Sequence, residues 1–363
     1  MSAAPNLLIS LVTWNSRPYL PNLFASLEAQ DLPKFRVTVV DNASQDGTLE
    51  WLSAASSNKG PNSTEPWARI DSLLVLRNFR NQGFSRGHNQ AIALAVSHWP
   101  AEQWAQSFIL VINPDLELAP ACLHELITAM KTDASLAACG PKLLRAVRHA
   151  DEDGHPEIVR SAIIDSTGLC MTRARRAYDR GAGEEDHGQY DQVTDVFGIS
   201  GACMLLRASA LTRIRLRDEI FDTDFMAYQE DVDLAWRLRR LGMKVALVPQ
   251  AVAWHHRAAS SLPHGSWLDA WHLRQTKSGL INQLSTRNHV WLLWKNETWP
   301  NFFWHSPWIV PYELAKCCAA LFSSAVFKGY CAAVLGAHKM LSKRRELQRG
   351  ETISSAQMRR WFV

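Results

Sequence analysis

The first 140 residues alternate between short apolar runs and amphipathic segments, and this alternation restricts the chain to few folds. Four runs are short enough to be strands buried on both faces: residues 7–13, 36–41, 73–76 and 108–112. Helical periodicity follows each run, at residues 19–29, 47–55, 86–96 and 120–131. Repeated strand–helix–strand units predict a mostly parallel sheet with helices on both faces. Ligands bind such a sheet outside the carboxyl ends of its strands.

Polar residues stand directly after each apolar run, where that crevice is expected. They are Thr13 with Asn15, then Asp41 with Asn42, then residues 78–83, and finally residues 113–115. Short polar side chains after a strand, such as Asp41 and Asn42, either accept hydrogen bonds from a base or ribose or build an Asx turn. We expect all four groups to converge on one site.

The fourth run ends in Asn113, Pro114 and Asp115. Because proline cannot continue the hydrogen bonds of a strand, the chain turns here and holds the Asp115 carboxylate at the edge of the sheet. A hard divalent cation is bound by one or two such carboxylates together with phosphate oxygens and water. An ordinary strand-ending turn is the alternative.

Residues 81–89, which include Asn81, Gly83, Gly87 and Asn89, lead into the third helical segment. The two glycines permit close approach of the backbone to a ligand, and a helix N-terminus favours negative charge. The spacing matches neither the P-loop nor the dinucleotide-binding fingerprint. This segment is therefore either a ligand-facing loop or a tight turn.

Glu230, Asp231 and Asp233 stand at the start of a further helical segment that Gly242 is suited to end. Acidic residues in a first helical turn complement the helix dipole, which by itself explains them. The functional alternative is that one carboxylate takes the proton from an acceptor hydroxyl as a general base.

His255 and His256 follow a predicted strand at residues 245–254 that Pro249 interrupts. Imidazole binds Mn²⁺-like ions well, and strand alternation points the two rings apart. We expect one of them, with His255 as the first candidate, to bind the cation beside Asp115. A structurally paired histidine is the alternative.

Residues 145–192 are polar and contain turn-forming glycines and the acidic run at 151–153. They predict a loop-rich segment that covers a site or contacts a variable partner.

The seven cysteines are odd in number and have no C-x-x-C spacing, which argues against a disulfide framework or a zinc module and favours a reduced compartment. The N-terminus has no signal-peptide pattern, so we expect a cytoplasmic start. The formal charge of +4 is small for this length, so no nucleic-acid partner is expected.

More than half of the 15 tryptophans lie between Trp254 and Trp361. In the same third, residues 307–337 are largely apolar, but their longest uncharged run, 317–327, is well short of the ~20 residues that span a bilayer. Tryptophans beside apolar helices with a basic end favour a segment that lies in the lipid headgroup region. A helical subdomain packed on the core and a homodimer contact are the alternatives.

Taken in order, these residues resemble the inverting glycosyltransferases of the large second family, and most closely its bacterial rhamnosyltransferase-like branch. The matching strings are residues 11–15, 40–44, 81–89, 113–115, 198–205, 225–238, 255–256 and 287–288. The resemblance implies the A-type glycosyltransferase fold, an α/β, Rossmann-like, mostly parallel sheet with flanking helices, plus a C-terminal helical extension. We expect residues 1–115 to be the nucleotide-sugar-binding half, residues 116–260 the acceptor-binding and catalytic half of the same domain, and residues 261–363 the tryptophan-rich extension.

The resemblance also implies roles for individual residues. Asp231 matches the catalytic base, with Glu230 beside it, and Asp115 matches the aspartate that binds Mg²⁺ or Mn²⁺. Asn113 replaces the first acid of the common Asp-x-Asp form, which leaves fewer protein ligands for the ion. The nucleoside pocket would be lined by Thr13, Asn15 and Asp41, and the ribose and diphosphate would be bordered by Asn81, Gly83 and Asn89.

The sequence thus predicts a metal-dependent enzyme that transfers a sugar from a nucleotide diphosphate donor to a hydroxyl of a lipid-linked glycan. Rhamnose is the sugar that the branch suggests, and the expected place of action is the inner face of the cell membrane. A non-catalytic sugar-nucleotide-binding scaffold is an alternative. A nucleotidyltransferase is another, although the chain lacks the glycine-rich, lysine-containing triphosphate loop near its first strand.

Overall fold

The computed structural model describes residues 6–57, 69–97, 99–150, 156–256, 278–350 and 352–363. Its first half alternates strands and helices as the apolar pattern predicts. In chain order these are β1 (Asn6–Thr13), α1 (Leu20–Glu28), β2 (Phe35–Asp41), α2 (Thr48–Ser57), β3 (Ile70–Arg77), α3 (Gly83–Ser97) and β4 (Ser107–Ile112). A short 3₁₀ helix, Ala101–Gln106, precedes β4.

The middle of the chain contains more strands than the sequence predicted. The elements are β5 (Leu116–Leu118), α4 (Cys122–Thr132), β6 (Leu136–Ala150), β7 (Pro156–Ser166), β8 (Leu169–Met171), β9 (Ala177–Asp179), β10 (Cys203–Arg207), α5 (Ala208–Ile214), α6 (Glu230–Arg240) and β11 (Lys244–His255). The prediction that residues 145–192 are loop-rich is therefore wrong for β7, which pairs antiparallel with β6. A strand with one wet face tolerates polar residues, because its partner supplies the backbone hydrogen bonds. The acidic run at 151–153 lies outside the described residues.

The C-terminal region is helical, as predicted. Its helices are α7 (Gly279–Asn296), α8 (Trp299–Ala320), α9 (Ser324–Leu335), α10 (Ala337–Arg349) and α11 (Ser355–Met358), followed by a 3₁₀ turn at Arg359–Trp361. The division into three segments at residues 115 and 260 remains a prediction.

Nine strands form one sheet in the order β3-β2-β1-β4-β10-β6-β11-β5, with β7 paired to β6. The pairs among β1, β2, β3 and β4 are parallel, as is β6 with β11. Strand β10 runs antiparallel between β4 and β6. This mixed, mostly parallel sheet with helices on both faces confirms the predicted fold class. Apolar clusters from alternate strand positions fill both faces, for example Ile9 and Leu110 on one and Ile109 and Val111 on the other.

Strand β11 carries an irregularity that bears on the site. Its pairing with β6 shifts between Val248 and Val252, which confirms the predicted break at Pro249. Proline has no backbone N–H, so a ladder bond is missing there. Pairing resumes at Val252 and continues to His255, which lies opposite Leu116 of β5. The strand therefore delivers its terminal histidine to the edge next to Asp115.

A buried ionic network joins the C-terminal helices to Asp222 and to Asp233 of α6. Lys295 of α7 lies 2.6 Å from Asp222 and 2.8 Å from Asp233, and Lys343 of α10 also contacts Asp222. All four side chains are buried. Their mutual neutralisation explains how four charges are tolerated in the interior, because an unpaired charge there is strongly destabilising.

Candidate active site

The ends of β1 and β2 are tied together by short polar side chains. Oδ1 of Asp41 accepts hydrogen bonds from the hydroxyls of Thr13, at 2.9 Å, and Ser44, while its Oδ2 accepts one from the backbone N–H of Ser44. Asn15 joins the cluster through its own N–H, which donates to the Ser44 hydroxyl. The Asp41 carboxylate is fully buried. It therefore orders the rim of the predicted nucleoside pocket through Ser44 and Thr13.

Asn42 connects this rim to the loop that leads into α3. Its Nδ2 donates to the carbonyl of Gly83 at 3.2 Å, and its Oδ1 accepts from Nδ2 of Asn78 at 2.9 Å. Asn81 accepts the N–H of Gly83 at 2.8 Å, which closes the turn at the start of the helix. The first three of the four polar groups predicted to converge are thus connected by direct hydrogen bonds.

At both glycines of residues 81–89, the space that a side chain would occupy is filled by other parts of the protein, which fits the alternative of a tight turn, and a role in ligand binding stays a prediction. A Cβ on Gly83 would lie 2.4 Å from the Met226 carbonyl oxygen, and one on Gly87 would lie 2.7 Å from a Val12 methyl. Asn89 likewise serves the protein. Its Nδ2 donates to the Phe221 carbonyl at 2.7 Å, and its Oδ1 accepts the N–H groups of Ile220 and Phe221.

Asp115 and His255 come together at the end of β4 and β11. Nε2 of His255 lies 3.3 Å from Oδ1 of Asp115, and its Nδ1 lies 2.8 Å from Oδ2 of Asp165 in β7. Burial alone lowers the pKa of His255, but the hydrogen bonds to Asp115 and Asp165 outweigh it and raise that pKa to about 9. Because an ionised carboxylate only accepts hydrogen bonds, the imidazole carries a proton on Nδ1.

His256 faces a different carboxylate. Its Nε2 lies 2.8 Å from Oε1 of Glu117, and this hydrogen bond lowers the pKa of Glu117 to about 2. Arg160 binds the other oxygen of Glu117 at 3.0 Å. The two histidine rings point apart, and of the two only His255 is placed beside Asp115.

The residues at Asp115 fit a divalent cation of the Mn²⁺ or Mg²⁺ type. One oxygen of Asp115 and Nε2 of His255 lie 3.3 Å apart, close enough to bind the same ion. Because Asp165 holds Nδ1, Nε2 is the atom that would bind the ion in place of its proton. The described residues contain no group of three or more His, Cys, Asp or Glu side chains arranged for a metal. The remaining ligands would therefore come from diphosphate oxygens and water.

Asp231 opens α6, and two backbone donors hold its carboxylate. Oδ2 accepts the N–H of Gly201 at 3.0 Å, and Oδ1 accepts the N–H of Val232 at 2.8 Å. Burial raises its pKa above the ordinary value, although the bond from Gly201 opposes the shift. A helix N-terminus stabilises the ionised form of a carboxyl and so lowers its pKa, which weakens it as a base. At Asp231 the effect of burial on the pKa is larger than this opposing effect. The residue as a whole is partly exposed.

Glu230 lies beside Asp231 and is buried. Burial, together with the negative charge of Asp231, raises its pKa to about 8.

The turn at Gly201 and Ala202 links the two halves of the site. Gly201 binds Asp231, and the carbonyl of Ala202 accepts the N–H of Asn113 at 2.9 Å. A Cβ on Gly201 would lie 3.1 Å from the ring of Phe84 and 3.3 Å from Cβ of Asp231. One turn therefore touches the segment that carries Asp115, the loop at residues 81–89 and the candidate base.

The family model described as glycosyl transferase family 2 matches residues 9–214. The chain belongs to glycosyl transferase family 2. This confirms the resemblance drawn from the motifs, and the matched range contains most of β1, all of β4 and the turn at Gly201.

Two curated relatives of this family 2 glycosyltransferase show which members of the family it is similar to. The chain is 28% identical over 262 residues to N-acetylglucosaminyl-diphospho-decaprenol L-rhamnosyltransferase of Mycobacterium tuberculosis, which covers 69% of this chain and 76% of the relative. It is 22% identical over 253 residues to the low-salt glycan biosynthesis hexosyltransferase Agl10 of Haloferax volcanii, covering 69% and 67%. The rhamnosyltransferase-like resemblance is confirmed.

Among solved structures, that of GalNAc-T7 with UDP, GalNAc and Mn²⁺ superimposes with a TM-score of 0.53 at 11% identity. The match covers 82% of this chain and 49% of that one. It supports the A-type fold of this family 2 glycosyltransferase and nothing finer.

Several contacts of this family 2 glycosyltransferase were not predicted from sequence. Asp165 lies in the segment that was expected to be a loop. Gly201 and Asn288 lie in the family-matching strings 198–205 and 287–288, but the sequence predicted no role for either residue. The one available signal for Asp165 was an acid directly after Ile163 and Ile164. All seven cysteines are free thiols.

Proposed function

We propose that this protein is an inverting glycosyltransferase that moves a sugar, with rhamnose as the first candidate, from a nucleotide diphosphate donor. The acceptor is a hydroxyl of a polyprenyl-linked glycan or another cell-surface polysaccharide precursor. The observation that carries the proposal is the Gly201–Ala202 turn, because it places the candidate base Asp231 beside the segment that holds Asp115.

The chemistry follows from that placement. Asp231 takes the proton of the acceptor hydroxyl while the hydroxyl oxygen attacks the anomeric carbon of the donor sugar. The bond from that carbon to the diphosphate breaks in the same step. A single displacement of this kind inverts the anomeric configuration. A divalent cation held by Asp115 and His255 would stabilise the charge that develops on the leaving diphosphate.

The named activities of the relatives support this choice over its alternatives. The mycobacterial relative is named for rhamnosyl transfer onto N-acetylglucosaminyl-diphospho-decaprenol, a lipid-linked sugar. A scaffold would have no need of a base held by two backbone donors. A nucleotidyltransferase would need a triphosphate loop, which the first strand lacks.

A donor screen with the Asp231→Asn variant tests the proposal. We expect transfer from one member of a sugar-nucleotide panel in the presence of Mn²⁺, and a loss in kcat of about 10²–10⁴-fold in Asp231→Asn with donor binding retained. Asp218→Asn, an exposed acid outside the site, is the matched control. Unchanged turnover in Asp231→Asn removes the base assignment. Donor binding without turnover in the wild type favours the scaffold, and pyrophosphate release from a nucleoside triphosphate favours the nucleotidyltransferase.

The same proposal places the enzyme in the cytoplasm, at the inner face of the cell membrane, where a lipid-linked acceptor is available. No single helix among the described residues is long and apolar enough to cross a bilayer, but α8 and α9 pass that test together as a pair bent by 119°. Leu321 and Phe322, at the bend, are 80% and 81% exposed. Further exposed apolar side chains line the two helices: Trp299, Phe303, Trp304, Trp308, Leu314, Phe327, Val334 and Leu335.

We call the bend between α8 and α9, with its exposed apolar side chains, the apolar elbow. The charges around it favour contact with a lipid surface over contact with a second protein. Within residues 299–336, all of which the structure describes, Lys328 is the only exposed charged side chain, and the one acid, Glu313, pairs with His289 and Lys316. Exposed arginines at 345 and 349 follow on α10. Aromatic and aliphatic side chains at a bend, with cations beside them, suit insertion among anionic headgroups.

Vesicle co-sedimentation tests the membrane contact. We expect binding to phosphatidylglycerol-containing vesicles to fall at least about tenfold in Leu321→Ser/Phe322→Ser, because each side chain contributes about 1.5–3 kcal/mol when buried. Val193→Ser, an exposed apolar residue elsewhere, should bind as the wild type does. Wild-type binding by the double variant overturns the contact. A lipid-free dimer that the double variant dissociates makes the elbow a subunit interface instead.

A further inference from the structure

We propose that Asn288, on α7 of the C-terminal region, is a positioning residue for Asp231. It holds the turn at residues 225–229 in the conformation that starts α6. The inference rests on the proposed role of Asp231 as the base, and it assigns a catalytic contribution to a helix outside the matched family model.

The turn before Asp231 is strained. Met226, Tyr228 and Gln229 have φ values of 64°, 69° and 69°. This left-handed region is unfavourable for residues with a Cβ, and such residues persist only where the surrounding structure holds them. Three of them within four positions, immediately before Glu230, are therefore held there by outside contacts.

Asn288 supplies the central contacts. Its Nδ2 lies 2.9, 2.8 and 2.8 Å from the carbonyl oxygens of Phe225, Ala227 and Tyr228. The side chain is fully buried, and its Oδ1 accepts a hydrogen bond from Nε of Arg287 at 3.0 Å. Arg287 in turn donates to the carbonyls of Asp224 and Phe225. Two adjacent residues of α7 thus satisfy the carbonyls of residues 224, 225, 227 and 228.

The other side of the turn faces the predicted donor site. The Met226 carbonyl accepts the N–H of Ser85 at 3.3 Å and occupies the space where Gly83 lacks a Cβ. The turn therefore lies between α7 and the start of α3, and it leads directly into Asp231. If Asn288 no longer holds these carbonyls, we expect the left-handed residues to relax and the Asp231 carboxylate to move away from Gly201.

Steady-state kinetics of Asn288→Ala and Asn288→Ser test the inference. We expect kcat to fall at least about tenfold in Asn288→Ala and by less in Asn288→Ser, which keeps one donor, while the Kd of the nucleoside diphosphate stays within about twofold. Leu284→Ala is the matched control, because this buried residue of the same helix has no hydrogen bond to the turn. It should lower the melting temperature and keep kcat.

A glycine in the turn provides a readout that lost stability alone does not move. Glycine adopts left-handed φ without steric cost, so Gln229→Gly should restore part of the kcat lost in Asn288→Ala. Wild-type kcat in both Asn288 variants, a loss no larger than in Leu284→Ala, or no recovery with glycine overturns the positioning role. Asp231→Asn, measured in parallel, separates the two claims. If Asp231→Asn leaves kcat unchanged, the assignment of Asp231 as the base fails. If Asp231→Asn lowers kcat strongly while Asn288→Ala leaves it unchanged, only the role of Asn288 is overturned.

Discussion

Asp165 and His255 form a buried pair in which Oδ2 of the carboxylate lies 2.8 Å from Nδ1 of the imidazole. The pair joins β7 to the end of β11, and it leaves Nε2 facing Asp115. A carboxylate behind a histidine sets its tautomer and its orientation toward a metal ion. This pair therefore connects the strand that the sequence did not predict to the candidate cation site.

Removing the carboxylate of that pair should weaken metal binding. We expect Asp165→Ala to raise the Kd for Mn²⁺, measured by electron paramagnetic resonance with nucleoside diphosphate present, by about 10–100-fold. Glu117→Gln is the control, because Glu117 holds the histidine that faces away from Asp115. Equal Mn²⁺ affinity in Asp165→Ala and wild type would contradict the role of Asp165 in holding His255 toward the ion.

Glu230 should make stability fall as the pH rises through neutrality. Its pKa is about 8 in the folded protein, against an ordinary value of 4.5. Between these values the folded state holds a proton that the unfolded state has lost. The contribution of Glu230 to the free energy of unfolding is therefore greatest below pH 4.5 and decreases toward pH 8, by at most about 1.4 kcal/mol per pH unit. Glu230→Gln mimics the protonated group, so its melting temperature relative to wild type should increase from pH 5 to pH 8. A constant difference would contradict the shift.

Lys295 should contribute strongly to stability because it neutralises Asp222 and Asp233 in the interior. Lys295→Ala leaves two buried carboxylates with one cation fewer, and we expect it to lower the free energy of unfolding by about 3–5 kcal/mol in urea titrations. Lys328→Ala, at an exposed position on α9, should change it by no more than about 0.5 kcal/mol. Similar small effects for both would argue against tight packing of α7 on the catalytic half.

Gly83 and Gly47 separate backbone strain from close packing. Both have left-handed φ, +81° and +86°, but a Cβ would meet the Met226 carbonyl at Gly83 and nothing within 4 Å at Gly47. Gly47→Ala should therefore cost only the left-handed conformation, about 1–2 kcal/mol. Gly83→Ala should cost a further 1–3 kcal/mol or so from overpacking, and it should also reduce kcat because the displaced turn carries Asp231. Equal losses in thermal denaturation would contradict the contact with Met226.

The sequence by itself determined the alternating strands and helices of the first half, because strand and helix periods are local properties of the chain. It also indicated polar residues at strand ends, from which sheet geometry predicts that Asp41 and Asp115 lie at the same edge of the sheet. The break at Pro249 was readable for the same reason, since a missing N–H is a property of one residue. Family resemblance singled out Asp231 as the expected base, and the chemistry of imidazole suggested His255 as a metal ligand.

Only the tertiary structure decided which partners these residues have. Whether His255 or His256 faces Asp115 depends on the register in which β11 resumes pairing after Pro249. Asp165 reaches His255 from 90 residues away, and Asn288 reaches the turn before Asp231 from about 60. Such contacts depend on strand order and helix packing, which arise from the sum of many weak interactions across the chain. No local pattern of residues specifies them.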